Sequence, residues 1–222
     1  MQTIDNQGEY LAYCTVYPDG YEPSNTYPII FLLHGFGANM YDLAGLSYVI
    51  SATDYIYICP NAPISVNLGN GFDGFAWTEP GTHDAQQFID AEQKLSGFFE
   101  EVMTNYSESR GNCLLAGFSQ GGSMTYRYGL PRPDTFAGLV ALSCSIQNPD
   151  ELAKRLPEKR TQPIFIGHGL RDGIERARSS RDFLESQGYT PTYKEYDMRH
   201  EITQDVMSDL VPWIHGILDP AG

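Results

Sequence analysis

The sequence predicts an α/β fold, with a mainly parallel central sheet, helices on both faces and no large cap domain. Three observations predict it. Short apolar runs alternate along the chain with stretches whose apolar residues recur every three or four positions. Several of those runs are near-continuously apolar, as strands buried on both faces must be. The segment Gly117-Phe118-Ser119-Gln120-Gly121-Gly122 joins one such run to a helical stretch through a turn that only small residues permit. A chain of 222 residues fits one domain, 1–222, with a sizeable core.

Taken in order, Tyr10–Tyr17 reads as an early strand, possible at an edge, and Tyr27–Leu33 as a buried strand ending at His34-Gly35-Phe36-Gly37. Tyr41–Ser51 reads as helical, with Leu43, Leu46, Val49 and Ile50 on one face. Tyr55–Cys59 is the next strand, stopped by Pro60. Asn61–Thr82 is rich in Gly, Pro, Asn and aromatics and reads as a long binding loop. Asp84–Tyr106 is the clearest helix, through Phe88, Ala91, Leu95, Phe98, Val102 and Tyr106. The strand Asn112–Ala116 leads into the serine turn and a helix from Ser123. Strands follow at Thr135–Ser143, Pro163–Gly167 and Tyr193–Asp197. Helices follow at Asp150–Leu156, Arg178–Gln187 and Glu201–Leu218, the last with Ile202, Val206, Leu210, Trp213 and Ile214 inward.

Composition excludes several classes. The net charge of −14 repels nucleic acid and anionic membrane surfaces. No apolar run reaches the ~20 residues that a membrane helix needs, so no membrane insertion is expected. The first residues lack a basic segment followed by an apolar one, so the expected location is the cytoplasm. Cys14, Cys59, Cys113 and Cys144 form no C-x-x-C pair and have no zinc-ligand spacing to histidine. No metal site and no disulfide are expected, and Cys144 is placed where it can face the active-site side.

In open α/β sheets a site forms beyond the carboxyl ends of the strands. His34, Ser119, Cys144, His168 and Asp172 fall there. A Gly-x-Ser-x-Gly pattern between strand and helix exposes a serine hydroxyl on a strained turn, although the pattern alone is weak. That hydroxyl needs a histidine to take its proton and a carboxylate to orient the histidine. Of the five histidines, His34 and His83 precede the serine, and His215 lies deep in the terminal helix pattern. His200, after the last strand, is the candidate base, against the plainer role of a surface helix cap. His168 is expected to pack at its strand end and hold the acid loop. Asp172 is the candidate acid and Asp150 its competitor. The oxyanion donors are expected to be the backbone N–H groups of Phe36 and Gln120. The aromatic segment Gly71–Trp77 is expected to wall the substrate pocket, with Trp77 the first candidate and Phe75 beside it.

The elements Leu33-His34-Gly35-Phe36-Gly37, Gly117-Phe118-Ser119-Gln120-Gly121-Gly122, His168-Gly169-Leu170-Arg171-Asp172 and Tyr196-Asp197-Met198-Arg199-His200-Glu201 occur in this order across nearly the whole chain. Together they resemble the phospholipase/carboxylesterase family of α/β-hydrolases, which includes acyl-protein thioesterases and small bacterial carboxylesterases. The resemblance implies an α/β-hydrolase fold, a cofactor-free esterase with a Ser-Asp-His triad, and a protein that is often dimeric. Two departures stand out. Gly173-Ile174-Glu175 replaces a turn with valine and proline after the acid, and Arg199 replaces a glycine before the histidine, putting a positive charge at the pocket rim.

The expected activity is hydrolysis of dissolved short- to medium-chain carboxylic esters. An acyl-protein thioesterase or a lysophospholipase uses the same chemistry with another pocket. A dienelactone-hydrolase-like enzyme is disfavoured by Ser119 at the elbow. A fold kept only for binding is the alternative of another class, and the intact triad candidates argue against it.

Overall fold

A computed structural model describes residues 1–69, 73–82 and 84–219, so Phe72 and His83 lie outside the described residues. The described residues form ten strands: β1 (Gln2–Gln7), β2 (Ala12–Tyr17), β3 (Ile29–Leu33), β4 (Ile56–Pro60), β5 (Ile64–Asn67), β6 (Asp73–Ala76), β7 (Cys113–Phe118), β8 (Gly138–Leu142), β9 (Ile164–Gly169) and β10 (Thr192–Tyr196). The helices are α1 (Ser47–Ile50), α2 (Ala85–Asn105), α3 (Gln120–Gly129), α4 (Pro149–Ala153), α5 (Glu175–Ser186) and α6 (Gln204–Leu218), with short 3-10 turns at Ala44–Leu46 and Ser107–Ser109.

Eight strands form one sheet in the order β1-β2-β4-β3-β7-β8-β9-β10. From β4 to β10 every neighbouring pair is parallel, while β2 pairs antiparallel with both β1 and β4. The period of two sends alternate side chains to opposite faces. Ile29, Phe31 and Leu33 join one apolar cluster with Phe98 and Phe99 of α2, Tyr126 of α3 and Leu184 of α5. Ile30 and Leu32 join the other, with Ile50 of α1 and Val206, Leu210 and Ile214 of α6. Burying each such side chain is worth about 1.5–3 kcal/mol, which explains why β3 carries no polar position. Among the described residues no helix is long and apolar enough to cross a membrane.

Several expectations need correction. The early strand is not at the sheet edge: β1 covers it, pairing from Gln2↔Tyr17 to Gln7↔Ala12. Because β1 is an exposed edge, its sequence is mostly polar and gives no apolar signal. The helix expected over Tyr41–Ser51 reduces to one 3-10 turn and one α-turn. Gly45 favours no helix, and the change of helix type rotates the register, so Leu43 and Ile50 are buried while Val49 is 55% exposed. The long loop contains the β5–β6 hairpin, from Ile64↔Ala76 to Asn67↔Asp73. Helix α6 starts at Gln204, after Thr203 in extended conformation. Cys144 presents no exposed thiol to the site. It is buried beneath α3, where a Cβ on Gly122 would stand 2.6 Å from its sulfur, and burial pushes its thiol pKa up.

The carboxyl ends of β3, β7, β9 and β10 are neighbours or near-neighbours in this sheet. They deliver the loops that carry Phe36, Ser119, Asp172 and His200.

Candidate active site

Ser119 sits between β7 and α3 with φ 55° and ψ −119°, a region that non-glycine residues avoid. The turn is held from two sides. Ser119 N–H donates to Leu142 O at 2.9 Å, and Ser123 N–H donates to Ser119 O at 3.1 Å. Its neighbours must be small, since a Cβ on Gly117 would overlap the Gly121 backbone, and one on Gly121 would overlap the carbonyls of Leu33 and His34. The strain therefore comes from packing the start of α3 directly on the ends of β3 and β7.

Asp172 and His200 reach the serine from the adjacent strand ends. Leu170 N–H donates to Tyr196 O at 2.8 Å and Arg171 N–H to Met198 O at 3.1 Å, stitching the two loops together. Arg171 also pairs with Asp197 at 2.8 Å. Gly169 lets the loops meet, because a Cβ there would overlap the carbonyls of Met198 and Arg199. Gly173, at φ +60°, turns the chain after Asp172 into α5 and so replaces the valine- and proline-containing turn.

The three side chains form a continuous hydrogen-bonded line. His200 Nδ1 is 2.7 Å from Asp172 Oδ2, and His200 Nε2 is 2.8 Å from Ser119 Oγ. A carboxylate only accepts, so Nδ1 carries the proton and Nε2 is left to accept from the serine. The His200 ring packs on Phe118 at 4.9 Å between centroids. His168 holds the acid loop: its Nε2 donates to Asp172 O at 2.7 Å and lies 3.4 Å from Asp172 Oδ2. Asp150, by contrast, is exposed in the first turn of α4.

Phe36 lies in the loop after β3, and Gln120 opens α3. Among the described residues neither backbone N–H has an acceptor, as expected for the first residue of a helix and for a donor kept for a ligand. The two segments abut: a Cβ on Gly35 would stand 3.2 Å from Ser119 Cβ. His34 anchors this loop from inside. Its Nδ1 donates to Gly35 O at 2.7 Å and its Nε2 accepts from Ala62 N–H at 3.0 Å. This ring is neutral by its partners, and burial lowers its pKa.

The Gln120 side chain was not anticipated. Its amide oxygen accepts from Trp77 N–H at 2.7 Å, and its amide nitrogen donates to Thr78 O at 2.7 Å. It clamps the chain that follows β6 against the elbow. Trp77 borders a cavity of about 380 Å³ beside the elbow, together with Gln120, Ser123, Met124, Phe88 and Arg127. The indole is fully buried and donates to His34 O at 2.9 Å, so it forms the floor. Phe75 does not line this cavity. It is partly buried against the core and bridges to Ala38, with Gly37 N–H donating to Phe75 O at 2.8 Å. Nor does Arg199 line it; the cations there are Arg127 and Arg176. No group of His, Cys, Asp and Glu among the described residues has the arrangement of a metal site.

The chain matches the sequence model of the phospholipase/carboxylesterase family over residues 22–217. It is 25% identical over 205 residues to acyl-protein thioesterase 1 of Kluyveromyces lactis, covering 84% of this chain and 90% of that one. It is 28% identical over 169 residues to a probable carboxylesterase of Oryza sativa subsp. japonica, covering 70% of this chain and 62% of that relative's length. The crystal structure of esterase PE8 superposes with a TM-score of 0.77 at 24% identity, covering 92% of this chain and 97% of that one, and shows the same fold.

Proposed function

The chain belongs to the phospholipase/carboxylesterase family, and from that premise we propose that it hydrolyses dissolved short- to medium-chain carboxylic esters through an acyl-enzyme on Ser119. The observation that carries the reading is the single imidazole of His200 bridging Ser119 Oγ at 2.8 Å and Asp172 Oδ2 at 2.7 Å.

In this reading Ser119 Oγ attacks the ester carbonyl as its proton passes to His200 Nε2. Asp172 holds the imidazole in the competent tautomer and stabilises the imidazolium. The Phe36 and Gln120 N–H groups receive the oxyanion. Collapse breaks the bond to the alkoxide, which takes the proton from His200 Nε2 and leaves as the alcohol. Water, deprotonated by the same nitrogen, then attacks the acyl-serine; the acyl–Oγ bond breaks, Ser119 Oγ takes the proton back from His200 Nε2, and the acid is released. The steps as written need neither metal nor cofactor. A thioester would follow the same sequence.

The preference for dissolved substrate rests on what stands between β8 and β9. Only the 5-residue α4 is there, with Asp150 and Glu151 in its first turn, whereas a cap that screens a lipase site needs more residues and an apolar face. The test is the rate against concentration for a sparingly soluble ester, followed through its solubility limit. Ordinary saturation below the limit is expected. A sharp activation above it would overturn the open-site reading.

A further inference from the structure

The cavity beside the elbow carries charge that ester hydrolysis does not use. Gln120, Ser123, Met124 and Arg127 border it at spacings of three and four, so one face of α3 forms its wall. Arg127 stands seven residues from Gln120, about 10 Å along the helix axis. Its side chain is only 9% exposed, with Nε 3.2 Å from Glu92 and one terminal nitrogen 2.9 Å from Glu151. Its other terminal nitrogen has no carboxylate partner among the described residues.

The network behind it is unbalanced. Among the described residues Arg127, Arg132 and Arg155 pair only with Glu92 and Glu151, so three positive charges meet two negative ones. Arg176 of α5 adds an exposed guanidinium to the same lining and has no carboxylate partner among the described residues. The carboxylate in the lining, Glu79, is exposed and accepts from Gln87 Nε2 at 3.2 Å. An alkyl chain filling this space would strip water from the exposed Arg176 guanidinium and give nothing back. An oxyanion would satisfy both guanidiniums with charge-assisted hydrogen bonds.

We propose that this cavity is an anion subsite, in which Arg127 and Arg176 hold a carboxylate carried by the ester substrate itself. The natural substrate class is then a half-ester of a short dicarboxylic acid, or an ester of a hydroxy acid. This rests on the esterase reading above. The span sets the size: Arg127 follows Gln120 by two turns of α3, about 10 Å of backbone rise, so the chain between ester and carboxylate is only a few carbons long. The overall negative charge of −14 opposes anionic ligands at long range, so the local cations must act within about a Debye length, ~10 Å at moderate salt.

The test compares kcat/KM, per ester bond, in two pairs. Monomethyl adipate against dimethyl adipate places the carboxylate on the acyl side. The acetate ester of γ-hydroxybutyrate against pentyl acetate places it on the alcohol side. The full chain, R176Q and R176K are measured, since Arg176 is exposed and no ion pair of the fold depends on it. The expected result is at least about a tenfold preference for the anionic member of one pair, collapsing in R176Q and partly kept in R176K. The preferred pair assigns the side of the ester that enters the cavity. Hydrolysis of the neutral members with no preference, or a preference unchanged in R176Q, overturns the anion subsite and leaves the esterase standing. No hydrolysis of any of the four esters overturns both.

Discussion

Replacing Asp172 by Asn changes one charge and almost no volume. In the wild type, Asp172 Oδ2 lies 2.7 Å from His200 Nδ1 and the carboxylate is 20% exposed. As His200 takes the serine proton, a full ion pair forms with charge centres about 4 Å apart. At an effective dielectric of about 20 that attraction is worth about 4 kcal/mol, or roughly a thousandfold in rate. The amide adds a second fault. Turned one way it offers N–H to Nδ1, which forces the imidazole proton onto Nε2 and removes the acceptor that Ser119 Oγ needs. The expected loss in kcat is therefore about 10³ to 10⁴, with KM little changed because the carboxylate does not touch substrate. The assay is steady-state hydrolysis of a soluble chromogenic ester, with a thermal melt to show that the fold survives. Asp150→Asn is the control and should stay within about twofold, since it alters an exposed surface residue. A loss below about tenfold in Asp172→Asn, or a large loss in Asp150→Asn, would refute the assignment of the acid.

His168→Ala should remove the donor to Asp172 O and leave a hole at a buried strand end. A fall in stability of about 2–4 kcal/mol in urea unfolding, with a lower kcat at nearly constant KM, is expected; unchanged stability and kcat would show that the acid loop holds itself. His34 should make stability pH-dependent. Burial lowers its folded pKa below the ordinary 6.5, so its contribution is fully present above about 6.5 and is lost as pH falls towards the folded value. Urea unfolding from pH 7.5 down to pH 5 should be less steep in His34→Asn than in the wild type, and identical slopes would count against the neutral buried ring.

Much of this arrangement was legible in the residues because each part has a local cause. Strands buried on both faces announce themselves as apolar runs, and Ile29 to Leu33 is fully buried. The amphipathic run from Phe88 to Val102 is the long helix that covers them. Ser119, Asp172 and His200 could be named as candidates because each follows a strand end in the required order, and the fold brings them within hydrogen-bonding distance. What escaped notice depends on partners distant in sequence. Strand β1 is polar because it is an exposed edge, so only its pairing with β2 reveals it. The β5–β6 hairpin is too short to show a period. Arg127 reads as one more helix residue until Glu92 and Glu151, from two other helices, are seen around it. Arg199 draws attention in sequence because it precedes His200, yet Arg176 is the one of the two that borders the cavity.

The central claim is that Ser119 becomes covalently acylated. The direct measurement is intact-protein and peptide mass spectrometry after reaction with a fluorophosphonate, on the wild type and on Ser119→Ala. One phosphonyl group per chain is expected, on the peptide containing Ser119, with matching loss of hydrolysis. Ser119→Ala should take up none and keep less than about a thousandth of the wild-type kcat. Labelling at another residue, or a Ser119→Ala variant that still turns over ester above that level, would contradict the account.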